Sequence, residues 1–508
     1  MQRFNTILFA LCAITILVLI NSNSAFAQRF LDNADIQGLT DDGVFEAEDG
    51  DVFEGQINFP PDDPNDMNAG VYTMLFPAGI DVTFEEGLTI RTYAGNGGDA
   101  IGRIQVNGDK GDFVTMTGVG ANAWAGIIIE TDPAGDNLIE YCDISNADDA
   151  GDAVIVVNAQ GVLDGSCEVR SCNIHDCDEE CGITANGGTY LFDSNEISDC
   201  TEWGIRCTNA MDDPADAIVN NYIHDFGGTA GIAVEGDWDG GIKNNIILID
   251  EEDAAGIHRE LGAGTEVSIV NNTVIGNDLA LDGDIGIRDD ANDDDAWAVI
   301  ENNIVVSCDI GIQGVADGAN VNNFDYCLLN NTQNFNPDNI NNNVDNLLGD
   351  DPSFADEGAE DFHLNWDSPA INAGDPAIDD PDGSVSDIGA FGGLGAGSFE
   401  MFKGDYGDYC LIDDDEWDAP VALIRDTYNV MQSIDVDEIT IASGTRMQFA
   451  QNAHFAMSSG EHGETVTLRS ERTEFDLNFG NVVFFAYVEG QSIVASAREF
   501  QDQAVADF

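Results

Sequence analysis

The doublet Asn-Asn stands at 220–221, 244–245, 271–272 and 302–303, and its place is kept by Tyr141-Cys142, Ser171-Cys172, Ser194-Asn195 and Tyr326-Cys327. Counted on the second member, the steps are 30, 23, 26, 24, 27, 31 and 24 residues. Two places on stands a branched or aliphatic residue: Ile144, Ile174, Ile197, Ile223, Ile247, Val274, Val305 and Leu329. A second column runs in step, Gly-Ile, at Gly126, Gly182, Gly204, Gly231, Gly256, Gly286 and Gly311, and Ala153-Val154 fills the gap between the first two. Two columns in phase at a period of this size imply one structural unit used many times over.

Each unit is built from short alternating stretches separated by Gly, Asn and Asp. No stretch in the repeat zone carries a helical period of useful length. Strands of three to five residues cannot bury a core alone, but stacked as coils they can, each coil pairing in parallel with the next. The column aliphatics then point inward, and the asparagines stack into an amide ladder at a backbone bend. The glycine of Gly-Ile is read as a turn residue that tolerates an unusual φ. The period is too short for a propeller blade, and the leucine consensus of a leucine-rich repeat is missing. The expected fold is therefore all-β: a parallel β-helix over 79–345. Around it the reading places a signal peptide at 1–27, an N-terminal cap at 28–78, a closing loop segment at 346–398 and a smaller β region at 399–508.

The segments "NLIEYCDISNA", "CEVRSCNIHDC" and "VSIVNNTVIGN" resemble repeats of the pectate-lyase-like, right-handed β-helix superfamily. "DDPSFADEGAEDFHLNWDSPAINAGDP" with "DPDGSVSDIGAFGG" is similar to the closing segment of large bacterial secreted or surface β-helix proteins, and "GIDVTFEEGLTI" with "WAGIIIE" to their opening segment. The resemblance spans about Gly79 to Gly393. It implies a right-handed helix, an exported carbohydrate-related role and no organic cofactor. It carries no catalytic motif: the lysine and arginine pattern of a pectate lyase and the "DPH" of an alginate epimerase are absent.

Composition narrows the partners. Lys and Arg total 16 against 96 Asp and Glu, a formal net charge of −80. That balance excludes nucleic acid and anionic membrane surfaces as partners, both of which need basic patches. It makes self-repulsion large at low salt and suits a protein from salty water. Arg3, the apolar "ILFALCAITILVLI" and "AFA" before Gln28 read as a secretory signal, so the mature chain is expected outside the cell or at its surface. Beyond Cys12, ten cysteines show no zinc spacing. Cys142 and Cys172 share the asparagine column, and Cys177, Cys200 and Cys308 each lie three residues past a column aliphatic. Such neighbours on stacked rungs suit either a disulfide or buried thiol packing.

Candidate chemistry lies after Gly-Ile. The first outward places hold Arg206, Ala233, His258, Arg288 and Gln313; two places on stand Thr208, Glu235, Glu260, Asp290 and Val315. In register these form one polar stripe. A lyase would use Arg206 and Arg288 to neutralise a uronate carboxylate and His258 as base. A hydrolase would use a pair such as Glu235 and Glu260. The same residues also read as cross-rung ion pairs on a solvated face. Asp380, Asp382 and Asp387 around Gly383 suit Ca²⁺, or an Asp-rich turn satisfied by backbone N–H groups. "DDANDDDAW" at 289–297 is a weaker calcium candidate. For sugar stacking, Trp238 is the exposed candidate, whereas Trp124 and Trp203 are expected to pack at corners. Two readings remain: a non-catalytic polysaccharide-binding or adhesive surface element, and a polysaccharide lyase or hydrolase.

The charge balance makes one prediction. The thermal midpoint should climb as NaCl is raised from ~0.05 M to ~1 M, because the Debye length falls from about 14 Å to about 3 Å. A midpoint that is flat or falls would remove self-repulsion as a controlling term.

Overall fold

The computed structural model describes residues 29–393 apart from 33, 37–43, 60–69, 93–99, 120–122, 131–136, 148–152, 159–165, 178–180, 188, 209–215, 237, 239, 261–266, 277–282, 291–297, 315–322, 337–344, 366–367 and 381–384, together with ten strand backbones between Val421 and Ser496. Three long parallel sheets run through 29–348, one of thirteen strands and two of eleven. Each coil contributes one strand to each sheet, so the sheets are three faces of a prism. The coil around Asn221 shows the order: Asp216–Val219 on face III, Tyr222–Ile223 on face I, Ala230–Glu235 on face II, then Gly241–Lys243 back on face III. The chain is a parallel β-helix repeat protein. It is right-handed, the sense that parallel crossover connections take.

The register is that of the columns. Ile144, Ile174, Ile197, Ile223, Ile247, Val274, Val305 and Leu329 pair rung to rung along face I and are fully buried. Ile127 through Ile312 do the same on face II, and Ile139 through Phe324 on face III. Full burial of each such side chain contributes roughly 1.5–3 kcal/mol, so the core is a sum of modest, repeated terms.

The doublet divides its labour. Its first member carries the positive φ: Tyr141, Ser171, Ser194, Asn220, Asn244, Asn271, Asn302 and Tyr326 lie between 47° and 58°. Asparagine tolerates that region better than most residues. Its second member turns inward and forms the ladder. The Nδ2 of Asn195, Asn221, Asn245 and Asn272 each donates to the Oδ1 of the next asparagine at 2.9–3.0 Å, ending on Asn303. Each accepting Oδ1 also takes the backbone N–H of the residue below, and each Nδ2 also donates to a face III carbonyl, as Asn245 does to Ile218. Asn346 extends the column at its far end, accepting from the Cys327 N–H at 2.7 Å. Cys172 and Cys327 stand in for the amide, each thiol directed at the corresponding face III carbonyl.

The Gly-Ile glycines have a different cause from the one expected. Among them only Gly126 has a positive φ. At Gly182, Gly204, Gly231, Gly256 and Gly286 an added Cβ would collide with the inward aliphatic of face I, for example Ile223 Cγ2 above Gly204, and with a neighbouring glycine carbonyl. The column therefore needs absence of a side chain, not freedom of φ. The filled gap is also displaced by one: Ile127 pairs with Ile155, so Val154-Ile155 occupies the slot rather than Ala153-Val154. Both neighbours are apolar and buried, which hid the one-residue slip.

At the ends, the sheets begin inside the segment read as a cap. Phe30–Leu31, Val44–Glu46 and Ile57–Phe59 already pair in parallel with later coils. The eight-residue strand Gly70–Pro77 follows in the same segment, and only the shorter strands carry too little alternation to be recognised in sequence. At the other end, after the last face I strand Leu347–Leu348, the described residues up to 393 run back along the outside of face I. Phe362, Leu364, Ala370, Ile388, Ala390 and Phe391 pack on the outward Tyr222, Ile246, Leu248, Ile275, Ile304, Val306 and Leu328. The positive-φ asparagines hold this strap: Asn244 Nδ2 donates to the Ala390 and Gly392 carbonyls, Asn271 Nδ2 to Asp387 O, and Asn302 Oδ1 accepts from the Asp375 N–H. Between Val421 and Val488 the strand backbones pair in parallel in three further small sheets, the pattern of a second β-helix, closed by an antiparallel strand Gln491–Ser496. No helix among the described residues is long and apolar enough to cross a membrane.

None of the nine described cysteines forms a disulfide and all are buried, so thiol packing, not the disulfide alternative, is what the stacked positions show. Burial pushes the Cys167, Cys172, Cys207 and Cys327 thiols up to about 12. These are apolar fillers rather than nucleophiles.

Removing one amide from the middle of the ladder should be costly. Asn245→Leu strands the Asn221 N–H and Nδ2 and should lower stability by on the order of 3 kcal/mol, read from the urea midpoint. A loss below about 1 kcal/mol would mean the amides do not hold the corner.

Candidate functional site

The stripe assembles on face II as its spacing implied. Arg206, Ala233, His258, Arg288 and Gln313 are successive register partners. Glu235 pairs with Thr208, while Glu260 and Asp290 continue the same ladder one rung each, through their N–H groups to Val234 O and Arg259 O. Val315 lies outside the described residues.

Both arginines of the stripe meet a carboxylate. Arg206 Nε and Nη2 lie 2.7 and 2.6 Å from Glu235 Oε1. His258 sits between two carboxylates, Nε2 3.1 Å from Asp290 Oδ2 and Nδ1 3.5 Å from Glu260 Oε1. Arg288 Nε is 2.8 Å from the same Asp290 Oδ2, at ion-pair distance but without hydrogen-bond geometry. The arginines, Glu235, Glu260 and Asp290 are partly exposed, whereas the His258 side chain is only 9% exposed. The stripe is thus a lattice of alternating donors and acceptors, not a row of free cations.

Beside it lies an apolar strip. Trp203, Ala230, Ala255, Ile285 and Ile310 are register partners one outward place earlier. Trp203 and Ile310 are half-buried and pack against the buried alanines and Ile285. The Arg206 guanidinium lies over the Trp203 ring, 4.4 Å from its centroid, a cation–π contact. This corrects the tryptophan assignment. Trp238 is 1% exposed, its Nε1 donating to Tyr190 OH at 2.6 Å, while the half-buried Trp203 is the one on an outer face. The turn residues around Trp238 suggested exposure; the ring instead fills the core at the opening of face III. Trp124 is packed as expected, stacked on Phe84.

A pair that the spacing did not flag lies directly under the stripe. Arg259 and Asp289 are register partners, 3% and 2% exposed, with Nη1 at 3.1 Å from Oδ1. They occupy the inward column that Cys207 and Val234 fill on earlier rungs. The signal was present: Arg259 and Asp289 fall at an inward phase of their strands, where every other rung is small or apolar. Strands Ala255–Arg259 and Ile285–Asp289 are therefore bonded by a His–Asp contact on the outer side and an Arg–Asp pair on the inner side. Two further clusters share the sequence "IHD". His175 bridges Asp143 and Asp176 at 2.9 and 2.8 Å, and these bonds raise its pKa to about 9. His224 lies between Glu196 and Asp225 and is also raised, against a large opposing effect of burial.

The calcium candidates are partly engaged elsewhere. Asp380 Oδ2 accepts the Asp387 N–H and Asp387 Oδ1 the Asn372 N–H, both buried within the strap. Asp382 lies outside the described residues. In the second candidate loop, Asp289 and Asp290 belong to the pairs above, and 291–297 lie outside the described residues. Among the described residues, no group of three or more His, Cys, Asp or Glu is arranged to hold a metal ion.

No family model matches the chain, and no curated protein matches it. Among solved structures it is similar to a double mutant of the tailspike protein of E. coli bacteriophage HK620, at 8% identity and a TM-score of 0.23, over 87% of this chain and 70% of that one.

The inner pair gives a direct test. Arg259→Met or Asp289→Leu alone should each destabilise by roughly 3–5 kcal/mol, since each takes the opposite charge away from a buried one, and the double variant should recover most of that loss. Additive losses in a denaturation cycle would show that the two side chains are not coupled.

Proposed function

We propose that this chain is an exported β-helix protein that binds polysaccharide, or acts as a cell-surface or adhesive element, through face II and without turning its ligand over. One observation carries the reading: the stripe's charged groups are paired with one another. A lyase needs a cation free to neutralise a uronate and a base free to take a proton. Here Arg206 is occupied by Glu235, and His258 by Asp290 and Glu260. Arg288 also lies against a carboxylate, though without a hydrogen bond to it, so the stripe presents neutralised cations along a rigid face, which suits reversible binding. Export is supported by the leading 27 residues, whose composition is that of a secretory signal.

The alternative, a lyase or hydrolase acting on an extracellular polysaccharide, has one geometric support. His258 Nε2 lies 3.1 Å from Asp290 Oδ2, the kind of contact that fixes an imidazole for proton transfer.

The two readings separate in one experiment. The full chain is incubated with a panel of marine and plant polysaccharides, with and without Ca²⁺, and ultraviolet absorbance of unsaturated products, new reducing ends and retention on each immobilised polymer are recorded. Retention with no product is expected. Absorbance that appears with the chain and disappears in His258→Ala would establish elimination, and reducing ends alone would point to Glu235 and Glu260. Calcium-dependent retention would make Asp380, Asp382 and Asp387 the next residues to vary, as a site apart from face II.

A further inference from the structure

Granting that face II binds polysaccharide, we propose that its ligand is a neutral, hydroxyl-rich glycan lying along the solenoid axis, and that the ion-pair lattice itself is the recognition surface. The stripe holds two arginines, Arg206 and Arg288, against three carboxylates, Glu235, Glu260 and Asp290, with His258 between them. Arg259 and Asp289 beneath cancel each other. No cation is left in excess, and the chain as a whole carries −80. A polyanion would have to displace carboxylates from their partners on a surface whose field repels it.

A hydroxyl has different needs. It donates one hydrogen bond and accepts others, so it is served by a donor and an acceptor side by side. Arg206 with Glu235 and Arg288 with Asp290 supply such pairs on separate rungs, and their exposed edges stay available while the pairs remain intact. The column then continues to Gln313. Rungs repeat every ~4.8 Å, so a chain laid along the axis can reach both pairs, Glu235 and Arg288 standing two rungs apart.

The strip beside the lattice favours the same arrangement over aromatic stacking. Trp203 packs against the buried alanines and Ile285, and Arg206 lies over its ring. Recognition therefore falls to hydrogen bonds from the lattice, with Trp203 holding Arg206 in place rather than offering its ring to sugar.

The test is affinity electrophoresis of the full chain in gels containing mixed-linkage β-glucan, galactomannan or dextran, against polygalacturonate, alginate and a sulfated galactan. At least one neutral polymer should retard the protein, and the retardation should persist as NaCl is raised. Glu235→Gln and Arg206→Lys, each checked for unchanged circular dichroism, should weaken it by about tenfold, the scale of one charge-assisted hydrogen bond. Arg170→Gln, on face III, is the control and should change nothing. Retardation by the anionic polymers alone, lost in the stripe variants, would overturn the neutral-ligand inference while leaving polysaccharide binding intact. Neutral retardation unaffected by both variants would move the site off the lattice. No retardation by any polymer would overturn both.

Discussion

The amide ladder is the constraint on which the remaining structure depends. At one corner of every coil the backbone bends through a left-handed residue, and the bend leaves N–H and C=O groups facing the interior. Buried without partners, each would cost roughly 1–3 kcal/mol. The column from Asn195 to Asn303 satisfies them by linking each rung to its neighbours through side chain and backbone together. With that corner fixed, the aliphatics two places on must point inward on face I, and the glycines of face II must lie beneath them. The three columns are one geometric statement repeated along the axis.

Fixing the interior in this way frees the outer faces to diverge. Face I turns apolar from Tyr222 onward and is covered by the strap, whereas its earlier rungs carry Asp143, Asn173 and Glu196 outward. Face II keeps a charged outer surface whose partners come from adjacent rungs, because parallel in-register strands bring equivalent positions within reach of long side chains. Its outer side chains are therefore held in place by the same register that builds the core. The buried Arg259–Asp289 pair tightens that register where the stripe is most heavily charged.

Much of this was legible in the sequence, for a physical reason. The period, the inward columns and the stripe's membership follow from alternation and spacing, which the backbone obeys strictly. What escaped were features decided by packing. The Gly-Ile glycines were attributed to φ, but the clash with Ile223 and its equivalents appears only when two faces are stacked. Trp238 looked exposed in "GDWDGG", yet its ring and its bond to Tyr190 are interior. The slot given to Ala153-Val154 by spacing belongs to Val154-Ile155, a slip that three consecutive apolar residues conceal. The strap was written more openly than it was read. Asparagine replaces Tyr or Ser as the first member of the doublet from Asn220 to Asn302, and the outward place on face I turns apolar over the same rungs.

That strap changes the way the array can come apart. Solenoids contact only neighbouring repeats, so their coils can fray and melt one at a time from an end. Here Asn244, Asn271 and Asn302 bond to a single returning segment that also touches Tyr222 and Leu328. Those rungs lose their shared cover together or not at all. The distal half of the helix should thus behave as one cooperative block, and the unstrapped proximal coils as the region where opening begins.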